Sequence, residues 1–118
     1  MIFESKINDN YIDVKNYKEK LKGINVVEVS GESCANCSTL MPILQEITSK
    51  IDGVNLYHIE ASPETEELIV KYDIHTVPTT MIMYNDECYV SCRGFQPEEI
   101  LELWINTKIN EIKKNKNI

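Results

Sequence analysis

The sequence predicts an α/β domain built around one mixed β-sheet. Two short apolar runs, Ile24 to Val29 and Val54 to Ile59, have the length and composition of buried strands, and each precedes a segment with helical spacing. Two further runs, Thr80 to Tyr84 and Cys88 to Arg93, flank the polar turn Asn85-Asp86-Glu87 and predict a closing hairpin. The predicted order is β-α-β-α-β-α-β-β-α, with parallel pairing in the first half and helices flanking the sheet on both faces.

The first part of the chain contributes a short strand at Ile2 and Phe3, then a helix. This helix is capped by Asp9 or Asn10, is ended by Gly23, and has a packing face made of Tyr11, Val14, Lys18 and Leu21. A third segment follows the cysteine pair at 34 and 37. It has Leu40, Ile43, Leu44, Ile47 and Ile51 at helical spacing, with Pro42 inside, where a kink is expected.

The second half predicts two more helices. Ser62 and Pro63 begin the first, because serine caps helices well and proline is tolerated at the first helical position. Pro97 opens the last, and we predict that its packing face consists of Ile100, Leu103, Trp104 and Thr107.

Length and charge limit what the chain can be. At 118 residues, with 42% hydrophobic residues and no internal repeat, it predicts a single domain over 1–118 whose ends, 1–8 and 113–118, fray. The net charge of −7 argues against nucleic acid and against anionic membranes as partners. No apolar run has the length of a membrane span, and the first residues lack the pattern of a secretory signal, so we expect a cytoplasmic protein.

The pair Cys34 and Cys37, with two residues between them, follows the first long strand directly. Such a pair is half of a metal site, a structural disulfide or a redox centre. A reducing cytoplasm disfavours the structural disulfide. Zinc would need two more ligands, and Cys88 and Cys92 would stand about 13 Å apart on a regular strand, too far for one tetrahedral ion. We therefore expect no metal, and interpret Cys88 and Cys92 as small packing residues.

Together these features resemble the thioredoxin family. The resemblance is carried by Cys34-Ala35-Asn36-Cys37 at a strand-to-helix junction, Pro42 in the helix, Thr76-Val77-Pro78-Thr79 before a strand, and Gly94 before the last helix. It extends from about Tyr11 to about Ile109 and implies a thioredoxin fold. The chain departs from the family in having Ser33 where tryptophan is usual, and Ala35-Asn36 where Gly-Pro is usual.

The two cysteines then have separate roles. Cys34 is expected at the helix N-cap, where N–H groups and the helix dipole favour its thiolate, so it is the nucleophile. Cys37 lies one turn further in and resolves the mixed disulfide. Asn36 supplies an N–H that proline would lack. We therefore expect an Asn36→Pro variant to have a higher Cys34 pKa, which thiol titration would test.

Other site residues are implied by the resemblance. Glu28 stands where the family has an acid that moves protons to and from the resolving cysteine. Pro78 is expected to follow a cis bond that brings Val77 beside Cys34, ready for pairing with an extended substrate segment. The remaining substrate-binding candidates are Ser33, Ala35, Asn36, His75 and Gly94. His58 is interpreted as a structural residue.

We thus predict a thiol–disulfide oxidoreductase that reduces disulfides in target proteins. The resemblance implies recycling by a flavoenzyme similar to thioredoxin reductase, no bound cofactor, and action as a monomer. The alternative is a thioredoxin-fold binding or adaptor module with little redox turnover. Insulin reduction driven by dithiothreitol discriminates between them.

Overall fold

The computed structural model describes residues 10–118 and shows a four-stranded mixed sheet. Its strands are β1 (Ile24–Ser30), β2 (Leu56–Glu60), β3 (Thr79–Tyr84) and β4 (Glu87–Arg93), in the spatial order β2-β1-β3-β4. β1 pairs with β2 in parallel, whereas the β1–β3 and β3–β4 pairs are antiparallel. The predicted mixed sheet is confirmed. The strand predicted at Ile2 and Phe3 lies outside the described residues.

Within residues 10–118, one α-helix precedes β1 and three more connect or follow the strands. They are α1 (Tyr17–Lys20), α2 (Ala35–Ser49), α3 (Glu66–Lys71) and α4 (Glu98–Lys116), and a 3-10 turn over Pro63–Thr65 leads into α3. Pro42 lies inside α2, as the sequence predicts. The order of these elements agrees with the predicted order after its first strand.

The hydrophobic core lies on both faces of the sheet. On one face, α2 and α4 pack against Val26 and Ile82 through their buried side chains, which are Leu40, Leu44, Ile47, Leu101, Ile105, Ile109 and Ile112. On the other face, Leu68 of α3 and Leu21 pack against Val27 and Met81. Every residue of β1 is buried, because this strand lies between two neighbours and beneath helices on both sides.

The helix predicted from Tyr11 to Leu21 is much shorter in the structure, where α1 is a single turn. Two interactions compete with a helix here, one within the segment and one with β2. Oδ1 of Asp13 accepts the N–H groups of Lys15 and Asn16 at 2.9 and 3.1 Å, which forms a turn. Tyr11 forms an isolated parallel bridge with His58, so the chain is extended where a helix was expected.

The predicted packing face of α4 is also wrong in part. Ile100 and Leu103 are 57% and 70% exposed, while Leu101 and Ile105 are fully buried and Trp104 packs at the edge of the core. The helix continues to Lys116, and its second half brings Ile109 and Ile112 into the core. A long helix packs with the face that buries the most apolar area toward the core. In α4 this face is shifted by one residue toward the C-terminus relative to the predicted face.

Candidate active site

The two cysteines of the sequence motif form a disulfide at the start of α2. β1 ends at Ser30, and a loop leads to Cys34, which is the N-cap residue of the helix. The Cα atoms of Cys34 and Cys37 are 5.3 Å apart, within the range that a disulfide spans. Cys34 is partly exposed and Cys37 is buried, so an incoming thiol or disulfide reaches Cys34 first.

The helix start directs a backbone donor at the outer sulfur. The N–H of Cys37 donates to Sγ of Cys34 at 3.2 Å. Ser33 has a positive φ of 58°, a conformation in which the chain turns sharply just before the helix. The N-cap position predicted for Cys34 is thus confirmed. Helix N-termini stabilise negative charge, and this placement favours a Cys34 thiolate once the disulfide is reduced.

A second loop packs against the segment that precedes the cysteines. The Val77–Pro78 peptide bond is cis, as predicted. The carbonyl of Pro78 accepts the N–H of Gly94 at 2.7 Å, which joins this loop to the end of β4. A Cβ built on Gly31 would lie 3.1 Å from Cγ2 of Val77, so the absence of a side chain at 31 allows the two loops to approach.

Glu28 is a fully buried carboxylate in the middle of β1. Oε1 of Glu28 lies 2.8 Å from Nδ1 of His58, and the hydroxyl of Ser30 lies 2.7 Å from both carboxylate oxygens. The parallel register of β1 and β2 pairs Glu28 with His58 directly. These partners satisfy a group whose burial without hydrogen bonds would cost several kcal/mol.

His58 connects this buried carboxylate to a more exposed one. Its second ring nitrogen, Nε2, lies 3.2 Å from Oε1 of Glu60. The Tyr11 ring packs on it with centroids 4.4 Å apart. Burial lowers the pKa of His58, but hydrogen bonds and charge attraction from Glu28 and Glu60 outweigh it and raise the pKa overall. Burial and the charges of Glu60 and Glu28 raise the pKa of Tyr11 as well.

A groove of about 580 Å³ runs beside the disulfide. Both cysteines of the motif, His58 and Glu60 at the end of β2 line this groove. The residues that line it are Tyr11, Ser30, Gly31, Ser33, Cys34, Ala35, Cys37, Ser38, Met41, His58 and Glu60. The groove therefore joins the sulfur chemistry to the His58 network in one solvent-facing space.

The predicted site residues lie in three places. Ser33 and Ala35 line the groove, and Asn36 is exposed in the first turn of α2. Val77 precedes Pro78 in the second loop, and Gly94 donates its N–H to the carbonyl of Pro78. His75 is exposed and its Nε2 lies 2.6 Å from Oδ1 of Asp73, outside the groove lining.

Sequence reasoning did not single out Tyr11 and Glu60, and it gave His58 only a structural role. The sequence alone carries no signal for them, because their positions depend on the register of β2 against β1 and on the isolated bridge of Tyr11 to His58. Glu28 pairs with His58 and Ser30 with Glu60.

The other two cysteines lie on β4 as free, half-buried thiols. Burial raises the pKa of Cys88, against a smaller lowering from a backbone hydrogen bond at Val90, and burial also raises the pKa of Cys92. Within residues 10–118, no group of three or more His, Cys, Asp or Glu side chains is placed to hold a metal ion.

Comparison with known proteins identifies the family. The thioredoxin family profile matches residues 9–107. Thioredoxin of Rickettsia conorii is 32% identical over 87 residues, covering 71% of this chain and 80% of that protein. Thioredoxin of Bacillus subtilis is 25% identical over 89 residues, covering 75% of this chain and 85% of that protein.

Solved structures show the same fold at much lower identity. Thioredoxin f2 of Chlamydomonas reinhardtii superposes with a TM-score of 0.70 and 16% identity, covering 84% of this chain and 95% of that one. A structure of the complex of ferredoxin:thioredoxin reductase with thioredoxin f2 gives a TM-score of 0.75, also at 16% identity, and covers 84% of this chain and 93% of the matched chain. With the Cys34–Cys37 disulfide at the start of α2, the chain therefore belongs to the thioredoxin family and is a thiol–disulfide oxidoreductase of the protein-disulfide reductase type.

Proposed function

We propose that the reduced protein transfers electrons to disulfides of target proteins. The Cys34 thiolate attacks one sulfur of the target disulfide, forming a mixed disulfide and expelling a target thiolate. Cys37, as a thiolate, then attacks Sγ of Cys34, which restores the Cys34–Cys37 bond and releases the second target thiolate. Two electrons pass to the target. The observation that carries this proposal is the partly exposed Cys34 at the helix N-cap with Cys37 buried behind it.

Glu28 is the base in this proposal. Cys37 must lose its proton before it attacks, and a buried carboxylate is a suitable acceptor in a site of this kind. Glu28 is supported in this role by its full burial and by two polar partners that fix its orientation. The return half of the cycle delivers the proton back to Cys37 when the disulfide is reduced.

The target segment is proposed to bind across the Pro78 loop. The side chain of Val77 lies next to Gly31 in the segment before the cysteines, and an extended chain could pair with the Val77 backbone as an added strand. Ser33, Ala35 and Asn36 would form one rim of this surface, and His75 and Gly94 the other. Ser33 makes this rim smaller and less apolar than a tryptophan would, which weakens the case for a broad hydrophobic docking surface.

The cycle also needs an electron donor. We propose a flavoenzyme reductase of the thioredoxin-reductase kind. A structural neighbour is a thioredoxin described in complex with ferredoxin:thioredoxin reductase, which supports a reductase as the partner. The flavin in this proposal rests on the family resemblance alone. We further propose that the protein acts as a monomer, with a single domain spanning 1–118 and no bound cofactor. Its role in this proposal is electron transport and redox homeostasis in the cytoplasm. Among residues 10–118, no helix is long and apolar enough to cross a membrane.

Insulin reduction with dithiothreitol as donor tests the activity. The wild-type protein should accelerate precipitation of the insulin B chain, Cys34→Ser should abolish the acceleration, and Cys37→Ser should accumulate a mixed disulfide with the target. Cys92→Ala is the matched control and should retain full activity, because Cys92 is a free thiol on β4. If the wild type gives no acceleration over dithiothreitol alone, the adaptor alternative is the better description.

The direction of electron flow is tested separately by the reduction potential of the Cys34–Cys37 pair in glutathione buffers. A potential near −270 mV, at the reducing end of related pairs, supports a reductase, whereas one above about −200 mV means that the protein donates or shuffles disulfides.

A further inference from the structure

Three side chains form a continuous hydrogen-bonded line from the interior to the surface. The carboxylate of Glu28 is fully buried, the His58 side chain is 7% exposed, and the Glu60 side chain is 44% exposed. The two links measure 2.8 Å at Nδ1 and 3.2 Å at Nε2 of the same imidazole ring. The outer end of the line, at Glu60, lies in the groove that Cys37 also lines.

Histidine is the side chain best suited to the middle of such a line. A neutral imidazole accepts a hydrogen bond at one ring nitrogen and donates at the other, so it can take a proton on one side and release one on the opposite side. A lysine at 58 could neutralise Glu28, but a single ammonium group has no second, acceptor nitrogen. Glu28 itself is not among the residues that line the groove, so a direct exchange of its proton with water there is disfavoured.

We propose that His58 and Glu60 form a proton path between Glu28 and solvent, and that this path sets the rate at which Cys37 is deprotonated and reprotonated. The inference rests on the proposed function, in which Glu28 is the base for Cys37. Neither His58 nor Glu60 bonds to sulfur in the cycle. They are positioning and relay residues that act through Glu28.

The proton balance closes over a full cycle. When the target is reduced, Glu28 holds the proton taken from Cys37 and passes it to Nδ1, while Nε2 gives its own proton to Glu60, from which water removes it. The ring is left with its proton on Nδ1. When the disulfide is reduced again, Glu60 takes a proton from water and passes it to Nε2, and Nδ1 returns its proton to Glu28, which gives it to Cys37. This second half restores the starting tautomer.

The surroundings of the ring fit a relay. β1 contributes Glu28 and the Ser30 hydroxyl, β2 contributes Glu60, and Tyr11 packs on the ring from the preceding segment. α2 contributes Cys37 to the lining of the same groove. The two carboxylates favour the protonated ring and raise the pKa of His58 despite its burial, so the protonated form is accessible near neutral pH.

The test follows two thiol steps in one stopped-flow trace, with dithiobis(nitrobenzoate) as the disulfide and a Cys88→Ala, Cys92→Ala background. The first nitrothiobenzoate is released when Cys34 attacks, and the second when Cys37 resolves the mixed disulfide. His58→Asn, His58→Lys and Glu60→Gln should each slow the second release about tenfold at pH 7, within the usual range of proton-transfer catalysis, and leave the first unchanged. The slow phase should become faster with added buffer base, which a loss of structure would not produce.

The control is Glu102→Gln, which removes a carboxylate that pairs with Lys50, the residue after the end of α2, away from the groove. It should leave both phases unchanged. The relay proposal is overturned if the second release is normal in His58→Asn and Glu60→Gln but slow in Glu28→Gln. In that case Glu28 is still the base for Cys37. If Glu28→Gln is also normal, the base assignment itself fails. If His58→Lys is as fast as wild type, a positive charge suffices and the relay is rejected.

Discussion

Nδ1 of His58 lies 2.8 Å from Oε1 of Glu28, and this buried pair, which is ionic when His58 is protonated, links two parallel strands in the centre of the sheet. A charged pair in this position makes stability depend on pH, because protonated His58 has a partner in the folded state and loses it on unfolding.

Stability should therefore fall as the pH rises above about 6.5, the ordinary pKa of histidine. The folded-state pKa of His58 is raised, so its contribution is fully present below the unfolded pKa and is lost as pH rises through the folded one. Urea unfolding of the oxidised protein at a series of pH values measures this slope. A His58→Asn variant should lose the slope, and parallel curves for the two proteins would contradict the prediction.

Two leucines of α4 form a matched pair for the assignment of its packing face. Leu101→Ala should cost about 2–5 kcal/mol of unfolding free energy, because it leaves a cavity beneath the helix. Leu103→Ala, two positions later and largely exposed, should change stability by less than about 0.5 kcal/mol. Denaturant midpoints measure the two losses, and a larger loss in Leu103→Ala than in Leu101→Ala would favour the face predicted from the sequence.

Two threonines of β3 differ in their hydroxyl partners. Thr79 Oγ1 donates to the carbonyl of Thr76 at 2.7 Å, whereas the buried Thr80 Oγ1 has no partner among the described residues. Thr80→Val should be neutral or stabilising by about 1 kcal/mol, since valine keeps the shape and removes an unpaired polar atom. Thr79→Val should destabilise by about 1–3 kcal/mol because it leaves a carbonyl unpaired. Calorimetric melting of both variants tests the contrast, and a destabilised Thr80→Val would show that this hydroxyl has a partner in solution.

The contact between Gly31 and Val77 predicts a coupled effect. Gly31→Ala should lower the rate of insulin reduction several-fold, because the new Cβ lies 3.1 Å from Cγ2 of Val77 and displaces the proposed substrate loop. In a Val77→Ala background the same substitution should cost much less. Additive losses in the double variant would mean that the alanine at 31 acts by some other route.

Much of the fold follows from the sequence. The strands β1 to β4 were predicted within a few residues because each is a short run of strand-forming residues next to turn residues, such as Asn85-Asp86 before β4. The cysteine pair and Pro78 were predicted from local sequence. In contrast, α1 was overestimated because the side chains of Asp13 and Asn16 bond to nearby backbone and stop the helix.

The proton network could not be predicted in the same way. Every residue of β1 is buried, so hydrophobic alternation, the usual guide to strand register, is absent from this strand. Without the register, nothing in the sequence places His58 opposite Glu28, thirty residues away along the chain. The same limit applies to Tyr11, whose position beside the ring depends on a single bridge to β2.

The burial of Cys88 and Cys92 has a practical consequence for following the protein in cells. Because burial raises the pKa of both thiols, few thiolates form there at neutral pH, and alkylating reagents that need a thiolate react slowly with them. Cys34 at its helix start should be modified first, and only when the disulfide is open. A brief pulse of a mass-tagged maleimide would thus record, as a single added mass, what fraction of the molecules was reduced at the moment of lysis.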